Sequence, residues 1–211
     1  MAGAAGGARR LVLASGSPTR LRVLQAAGLE PEVMVSGVDE DVVLARWPGL
    51  APAGAAGALA RAKAEAVVAG LGDAAGDGPL VLGCDSLLDV DGDAQGKPGT
   101  AAVAAERWRR IRGRSAVLVT GHHLVDTVTG RSCGDVAATT VRFGCPTDAE
   151  IDAYVATGEP LEVAGGFTLD GRAAAFVDGV DGDPNNVLGV SVALLRQLLG
   201  RLDVEITSLW R

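Results

Sequence analysis

Aromatic residues are scarce in this chain: three tryptophans, one tyrosine and three phenylalanines make up 3% of 211 residues. A core must therefore be built mostly from Val, Leu and Ala, and the chain is long enough to build one. Cysteine is equally sparse. Cys84, Cys133 and Cys145 are odd in number, widely spaced and without a Cys-x-x-Cys pair, which argues against a disulfide framework and against structural zinc. The two histidines, His122 and His123, are adjacent; on a strand they point to opposite faces and cannot chelate together. Positive charge is in deficit, with 19 basic against 26 acidic residues and a net charge of −7. A general duplex-binding surface needs clustered Lys and Arg, so nucleic acid duplexes are not expected partners. No apolar run reaches membrane-spanning length, and "LVLA" after the basic start "MAGAAGGARR" is too short for a signal peptide. The expectation is a soluble, reduced, cytoplasmic protein with no membrane partner.

Hydrophobic residues reach 48%, which excludes a disordered chain. The length suggests one domain, or two lobes sharing a core. Residues 1–10 read as a flexible tail and 11–211 as a single domain. "LVLA" (11–14) reads as a buried strand. Ser17 can cap a helix with Pro18 at its first position, and Gly28 can end it. Residues 31–41 read as a second strand running into an acidic loop, and 55–70 as an alanine-rich helix. Residues 70–79 read as a flexible turn, then 80–90 as a strand or strand pair. A helix follows at 99–113, with Ala105, Trp108 and Ile111 as its apolar stripe. Segments 115–130 and 132–143 are β-rich and joined by a turn. Thr147 and Glu150 form a capping box, with Ile151, Tyr154 and Val155 facing inward and Gly158 as the stop. Residues 173–183 read as strand and turn, 180–189 as a polar loop, and 190–202 as an amphipathic helix. Strands alternating with helices define an α/β class, and the hairpins predict a mixed sheet.

Several segments carry candidate chemistry. The strand–"SGSP"–helix element offers free N–H groups, a positive dipole end, the hydroxyls of Ser15 and Ser17, and Arg20 in the first turn. That set suits a phosphate, although an ordinary capped junction has the same pattern. "GCDSLLDVDGDAQGKP" (83–98) concentrates Asp85, Asp89, Asp91, Asp93 and Lys97. Counting from Asp89, an EF-hand would need Gly and Glu where Ala94 and Thr100 stand. A P-loop fails on spacing and on Pro98. "LLDVDGD" resembles the nucleophile loop of haloacid-dehalogenase-type phosphatases, with Asp89 attacking phosphorus; an Asp-Gly hairpin is the simpler alternative. Asp85 ends an apolar run, where ligand sites of α/β proteins gather. Asp39, Glu40 and Asp41 form a second acidic group. Carboxylates of this kind hold hard divalent cations together with substrate phosphates.

Taken in order, the pieces resemble the Maf family of nucleotide pyrophosphatases, also described as septum-formation-inhibitor-like. The carrying segments are "LVLASGSPTRLRVLQAAGL", "GCDS", "VDGD", "GKPG", "IRGRS", "VTGHHLV", "EIDAYVATGEPLEVAGGFTLDG" and "GDPNNVLGVSVALL", from about residue 11 to 202. The resemblance implies a Maf/ITPase-like α/β fold: an elongated mixed β-sheet flanked by helices, with two lobes around a central cleft. It implies hydrolysis of nucleoside triphosphates to monophosphate and pyrophosphate, with Mg²⁺ or Mn²⁺ as cofactor and a possible homodimer. Carried over by position, Asp85, Lys97 and Lys63 are the catalytic candidates. Ser15, Ser17, Arg20 and Asp170 are the substrate-binding candidates, and Glu40 and Asp85 the metal ligands. Thr19 stands where the family usually has a basic residue, and Asp170 where thymidine/uridine-type members carry Gln. "GCDS" matches neither "GADT" nor the "GSDQ" of 7-methylguanosine-type members, so no base is assigned. Two rival functions are the Asp89 phosphatase and a nucleotide-binding regulator of cell division with little catalysis.

Overall fold

The computed structural model describes residues 9–72 and 78–211. The expected tail up to residue 8, and positions 73–77 of the expected turn, lie outside the described residues. The described strands form one seven-stranded mixed sheet. Its elements in chain order are β1 (Leu11–Leu13), α1 (Pro18–Ala26), β2 (Glu32–Val33), α2 (Glu40–Ala45), α3 (Pro52–Leu71), β3 (Leu80–Val90), β4 (Asp93–Gln95) and α4 (Ala101–Ile111). There follow β5 (Ser115–Asp126), β6 (Ser132–Phe143), α5 (Asp148–Ala156), β7 (Val177–Asp181), α6 (Pro184–Val187) and α7 (Val192–Arg201). The spatial order is β2-β1-β3-β5-β6-β7, with β4 folded back on β3. β1 runs parallel to β2 and β3, and the remaining pairs are antiparallel.

Side chains alternate across the strands, so each face collects its own clusters. The even residues of β3 face α1, α7, α4 and α5. Leu80, Leu82 and Cys84 join Leu24, Leu195 and Leu198 in one cluster. Leu88 and Val90 join Trp108, Phe143, Ile151 and Tyr154 in another. All three phenylalanines and the tyrosine belong to this second lobe, and Trp108 meets Phe143, Tyr154 and Phe176 edge-on at 5.4–5.8 Å between centroids. The few aromatics thus concentrate where they make mutually favourable contacts.

The opposite face is covered by α3, which sits unusually close. A Cβ on Gly83 would lie 2.1 Å from the Ala60 carbonyl oxygen, and one on Gly121 2.2 Å from that of Ala56. Only glycine permits this approach, and small alanines supply the helix side of it.

Local chemistry explains the other elements. Ser17, Thr100, Thr147 and Ser191 each cap the following helix with a side-chain oxygen, and Thr147 and Glu150 complete a capping box. Asp91 and Gly92, both with positive φ, make the two-residue turn between β3 and β4.

Several expectations change. Residues 80–90 are one continuous strand, so Asp85 lies mid-strand and not at its end, because the ladder with β5 runs on past it. The second strand is short. The acidic group at 39–41 is not a loop: Asp39 accepts from the Val42 N–H and caps α2, which Glu40 opens. The expected 180–189 loop contains α6 and the fully buried Asn186. Residues 172–176 form a 3-10 turn before β7. Arg9 and Arg10, which fall within the expected tail, are paired: Arg9 with the buried Asp126 and Arg10 with Glu32.

His122 and His123 do face opposite ways. His122 is 1% exposed. Its Nδ1 donates to the Thr120 carbonyl and its Nε2 accepts from the Ser191 N–H, so the ring is neutral. Burial pushes its pKa down from 6.5 to about 4.

Two outcomes follow from this packing. Gly121→Ala should cost about 3 kcal/mol, because helix backbone would have to move; a urea midpoint equal to the parent's would show that α3 can slide outward freely. On acidification the unfolded chain protonates His122 first. Stability should therefore fall as pH drops from about 6.5 to 4, by up to about 3 kcal/mol. His122→Asn should flatten urea-derived stability across that window, and an unflattened profile would assign the loss to other groups.

Candidate functional site

The cleft begins where β1 stops. The Ala14 N–H still bonds to the Leu82 carbonyl, at 2.8 Å. Beyond it the chain turns into α1, leaving the β1 side of Asp85, Ser86 and Leu87 open. The resulting cleft of about 680 Å³ is lined by Ser15, Ser17, Arg20, Glu40, Lys63, Asp85, Ser86, Lys97, Glu162 and Gly189, among others.

On its phosphate-turn side, Ser17 caps α1 by accepting from the Arg20 N–H. Ser15 Oγ accepts from the Ser17 N–H at 3.2 Å and from Arg20 Nη1 at 2.9 Å. Arg20 Nε donates to the Gly189 carbonyl at 2.7 Å and Nη2 to Ser86 Oγ at 3.0 Å. The guanidinium is thus fixed by three acceptors from separate parts of the chain, and its planar fork suits that role.

The other side depends on α3. The close approach over Gly83 brings Lys63 to the sheet, where Nζ contacts Asp85 Oδ1 at 2.5 Å and Glu40 Oε1 at 2.7 Å. The Lys63 side chain is 12% exposed and that of Asp85 8%, whereas Glu40 is 53% exposed. Burial raises the Asp85 carboxyl above the usual carboxylate range, while Lys63 and Arg20 pull it back. An acid of this kind is a better proton acceptor near neutrality than an exposed aspartate.

Lys97 follows β4 and lines the cleft from the second lobe, 63% exposed, with its ammonium 3.4 Å from Glu162. Ser15, Ser17, Arg20, Glu40, Lys63, Asp85 and Lys97 therefore converge on one cavity. Asp170 does not line it. Its carboxylate pairs with Arg22 and accepts from the Thr168 hydroxyl. Asp89 accepts from the Gly92 N–H of its own turn, Asp91 pairs with Arg114, and Asp93 with Arg110. None of these three lines the cleft, and all three are engaged in or beside the β3–β4 turn.

Ser86 and Glu162 are not among the residues expected in the cleft, and Gly189 ends a segment, 180–189, that reads as a plain loop in preference to a ligand contact. Ser86 was signalled only by being a second polar residue inside an apolar strand. Glu162 and Gly189 are brought to the cleft by tertiary folding alone.

Glu40 Oε1 and Asp85 Oδ1 both contact the Lys63 ammonium. Among the described residues no three His, Cys, Asp or Glu side chains form a metal-holding group. A pair of carboxylates completed by substrate phosphate oxygens fits the habit of Mg²⁺ or Mn²⁺. The charges agree: Arg20, Lys63 and Lys97 are balanced by Glu40, Asp85 and Glu162, so an incoming polyphosphate adds uncompensated negative charge.

An α/β cleft at the open end of a parallel strand, with a capped serine turn and three cations among three carboxylates, defines a phosphoanhydride- or phosphoester-handling protein. The sequence comparisons make this specific. The family model described as Maf-like protein matches residues 10–202, and the chain belongs to that family. A protein of Streptomyces avermitilis named nucleoside triphosphate pyrophosphatase is 56% identical over 202 residues, which cover 96% of this chain and 95% of that protein. A Streptomyces coelicolor protein of the same name is 57% identical over the same shares. One from Saccharopolyspora erythraea, also so named, is 54% identical over 206 residues, 95% of this chain and 97% of its own.

The buried pair generates a stability test. Lys63→Met strands Asp85 without its cation, and the folded-state pKa of Asp85 then rises further. A carboxyl raised in the folded state loses stability as pH increases. The variant's deficit should therefore be larger at pH 8, about 3 kcal/mol, than at pH 5; a deficit independent of pH in urea titrations would show that the pair is not coupled in this way.

Proposed function

We propose that this chain is a nucleoside triphosphate pyrophosphatase, releasing a monophosphate and pyrophosphate. The observation carrying this reading is the Arg20 turn facing the buried Asp85–Lys63 pair and the exposed Glu40 across one cleft. The family membership and the relatives' shared name agree with it. A water oxygen attacks the α-phosphorus, and its proton passes to Asp85. The bond between the α-phosphorus and the bridging oxygen breaks, and pyrophosphate leaves with that oxygen. Lys63 holds Asp85 Oδ1 and so orients the carboxylate. Arg20, Lys63 and Lys97 neutralise the phosphates and the charge that develops on the leaving group. Ser15 and Ser17 shape the turn that receives the chain of phosphates. Glu40 and Asp85 would hold a divalent cation, Mg²⁺ or Mn²⁺, which when bound polarises phosphoryl oxygens as a Lewis acid.

Among the described residues no helix is long and apolar enough to cross a membrane. The three unpaired thiols suit the reducing conditions of a cytoplasm, where we place the enzyme.

Asp85→Asn should fold as the parent does and lower kcat by about 10²–10⁴-fold, the usual worth of a general base. The acid limb of the parent's kcat/KM profile should lie above the ordinary carboxylate range and vanish in the variant. Pyrophosphate release from a panel of ordinary and modified nucleoside triphosphates is the direct assay. Nucleotide-induced thermal stabilisation without any product would favour a binding regulator instead.

A further inference from the structure

Between the two clusters on the α7 side of the sheet lies a polar seam. Ser86 on β3 is the direct cross-strand partner of Thr120 on β5. Their hydroxyl oxygens are 2.9 Å apart. Thr120, fully buried, donates to the Asn186 carbonyl at 3.2 Å. That carbonyl also accepts from the Gly189 N–H. The Asn186 side chain, itself fully buried, donates to the Leu118 carbonyl at 3.0 Å and to Thr139 Oγ1 at 3.1 Å.

We propose that Ser86 and Thr120 are positioning residues that set the orientation of Arg20 for phosphate binding. The inference rests on reading the cleft as a phosphate site. Proton logic fixes the direction of the chain. A guanidinium only donates and a carbonyl only accepts. With the Thr120 proton committed to Asn186, the Ser86 proton goes to Thr120 Oγ1. Ser86 then presents only lone pairs to Arg20 Nη2. The carbonyl that takes Arg20 Nε, on Gly189, belongs to the turn that Asn186 ties to β5 and β6. Two of the three acceptors of Arg20 are therefore anchored in the sheet, independently of the serine turn that would close around phosphate. Arg20 is held in place before an anion arrives, and the preorganisation contributes to affinity.

The test uses inorganic tripolyphosphate, which carries no base, with Kd measured by calorimetry beside kcat and KM for nucleoside triphosphate turnover. Ser86→Ala should weaken tripolyphosphate binding about 10-fold, as expected for loss of a charge-assisted hydrogen bond. It should raise KM similarly while kcat stays within about threefold of the parent's. Ser86→Thr should restore both. Thr120→Val should act in the same direction, and Thr120→Ser should restore binding. In an Arg20→Met background, Ser86→Ala should have no further effect, because its action runs through that guanidinium. Parent-like binding by Ser86→Ala, or an undiminished penalty in the Arg20→Met background, would overturn the proposal. A parent that binds tripolyphosphate yet releases no pyrophosphate from any nucleotide would remove the pyrophosphatase reading, while the binding constants still decide the role of Ser86.

Discussion

The arrangement of the cleft depends on how closely one helix approaches the sheet. With no side chain at Gly83 and Gly121, the backbone of α3 settles against β3 and β5 at a distance that any Cβ would forbid. Two of the acidic groups in the site, Asp85 and Glu40, are organised by that contact. It carries Lys63 down to Asp85, which would otherwise be a buried carboxylate without a counter-charge. It also sets Lys63 within reach of Glu40, the first residue of a helix that packs on α3. A larger residue at either glycine would displace the ammonium that makes the aspartate tolerable there.

The basic side of the cleft is organised differently. Arg20 reaches across from α1 to the seam that divides two apolar clusters on a single face of the sheet. One cluster is aliphatic and joins β1, α1 and α7. The other gathers five of the chain's seven aromatic rings, with Trp108 among them. A polar line between two apolar regions is costly where a member lacks a partner; here the hydroxyls, the Asn186 amide nitrogen and a neutral imidazole are all partnered, and the buried Asn186 Oδ1 is the exception. The cleft opens where this line meets the end of β1, so the site lies at the border of the two lobes.

What could be read from the sequence was the local chemistry. Serine before proline at 17–18, Asp-Gly at 91–92 and Thr147 with Glu150 each specify a cap or turn through their own side chains or backbone preferences, and each is found. The α/β class followed from periodicity, and the ordered motifs brought Ser15, Arg20, Glu40, Lys63, Asp85 and Lys97 into one hypothesis. Positions set by partners distant in sequence were less legible. Asp85 looked like a strand end because the apolar run pauses there, yet pairing with Gly121 continues the ladder. Asp39 looked like a loop charge because a capping aspartate and a solvated one share the same sequence. Asp170 was assigned to the cleft by analogy, but Arg22 offers it a closer cation. Ser86 gave almost no signal, since its role rests on a neighbour 34 positions away.

β1 is a three-residue strand whose pairing with β3 joins Leu11 to Leu80. Bringing together residues about 70 apart costs roughly 2 kcal/mol more chain entropy than closing a short hairpin such as β3–β4. The antiparallel centre, from β3 to β6, is long and linked mostly by local turns. The anion turn hangs on the shorter, entropically dearer strand, while Asp85 and Lys63 belong to the durable centre. That cost is offset by burial, because Leu11 and Leu13 enter the aliphatic cluster on one face while Val12 and Ala14 pack beneath α3 on the other. The anion turn is therefore secured by the core itself, and not by the length of the strand that leads into it.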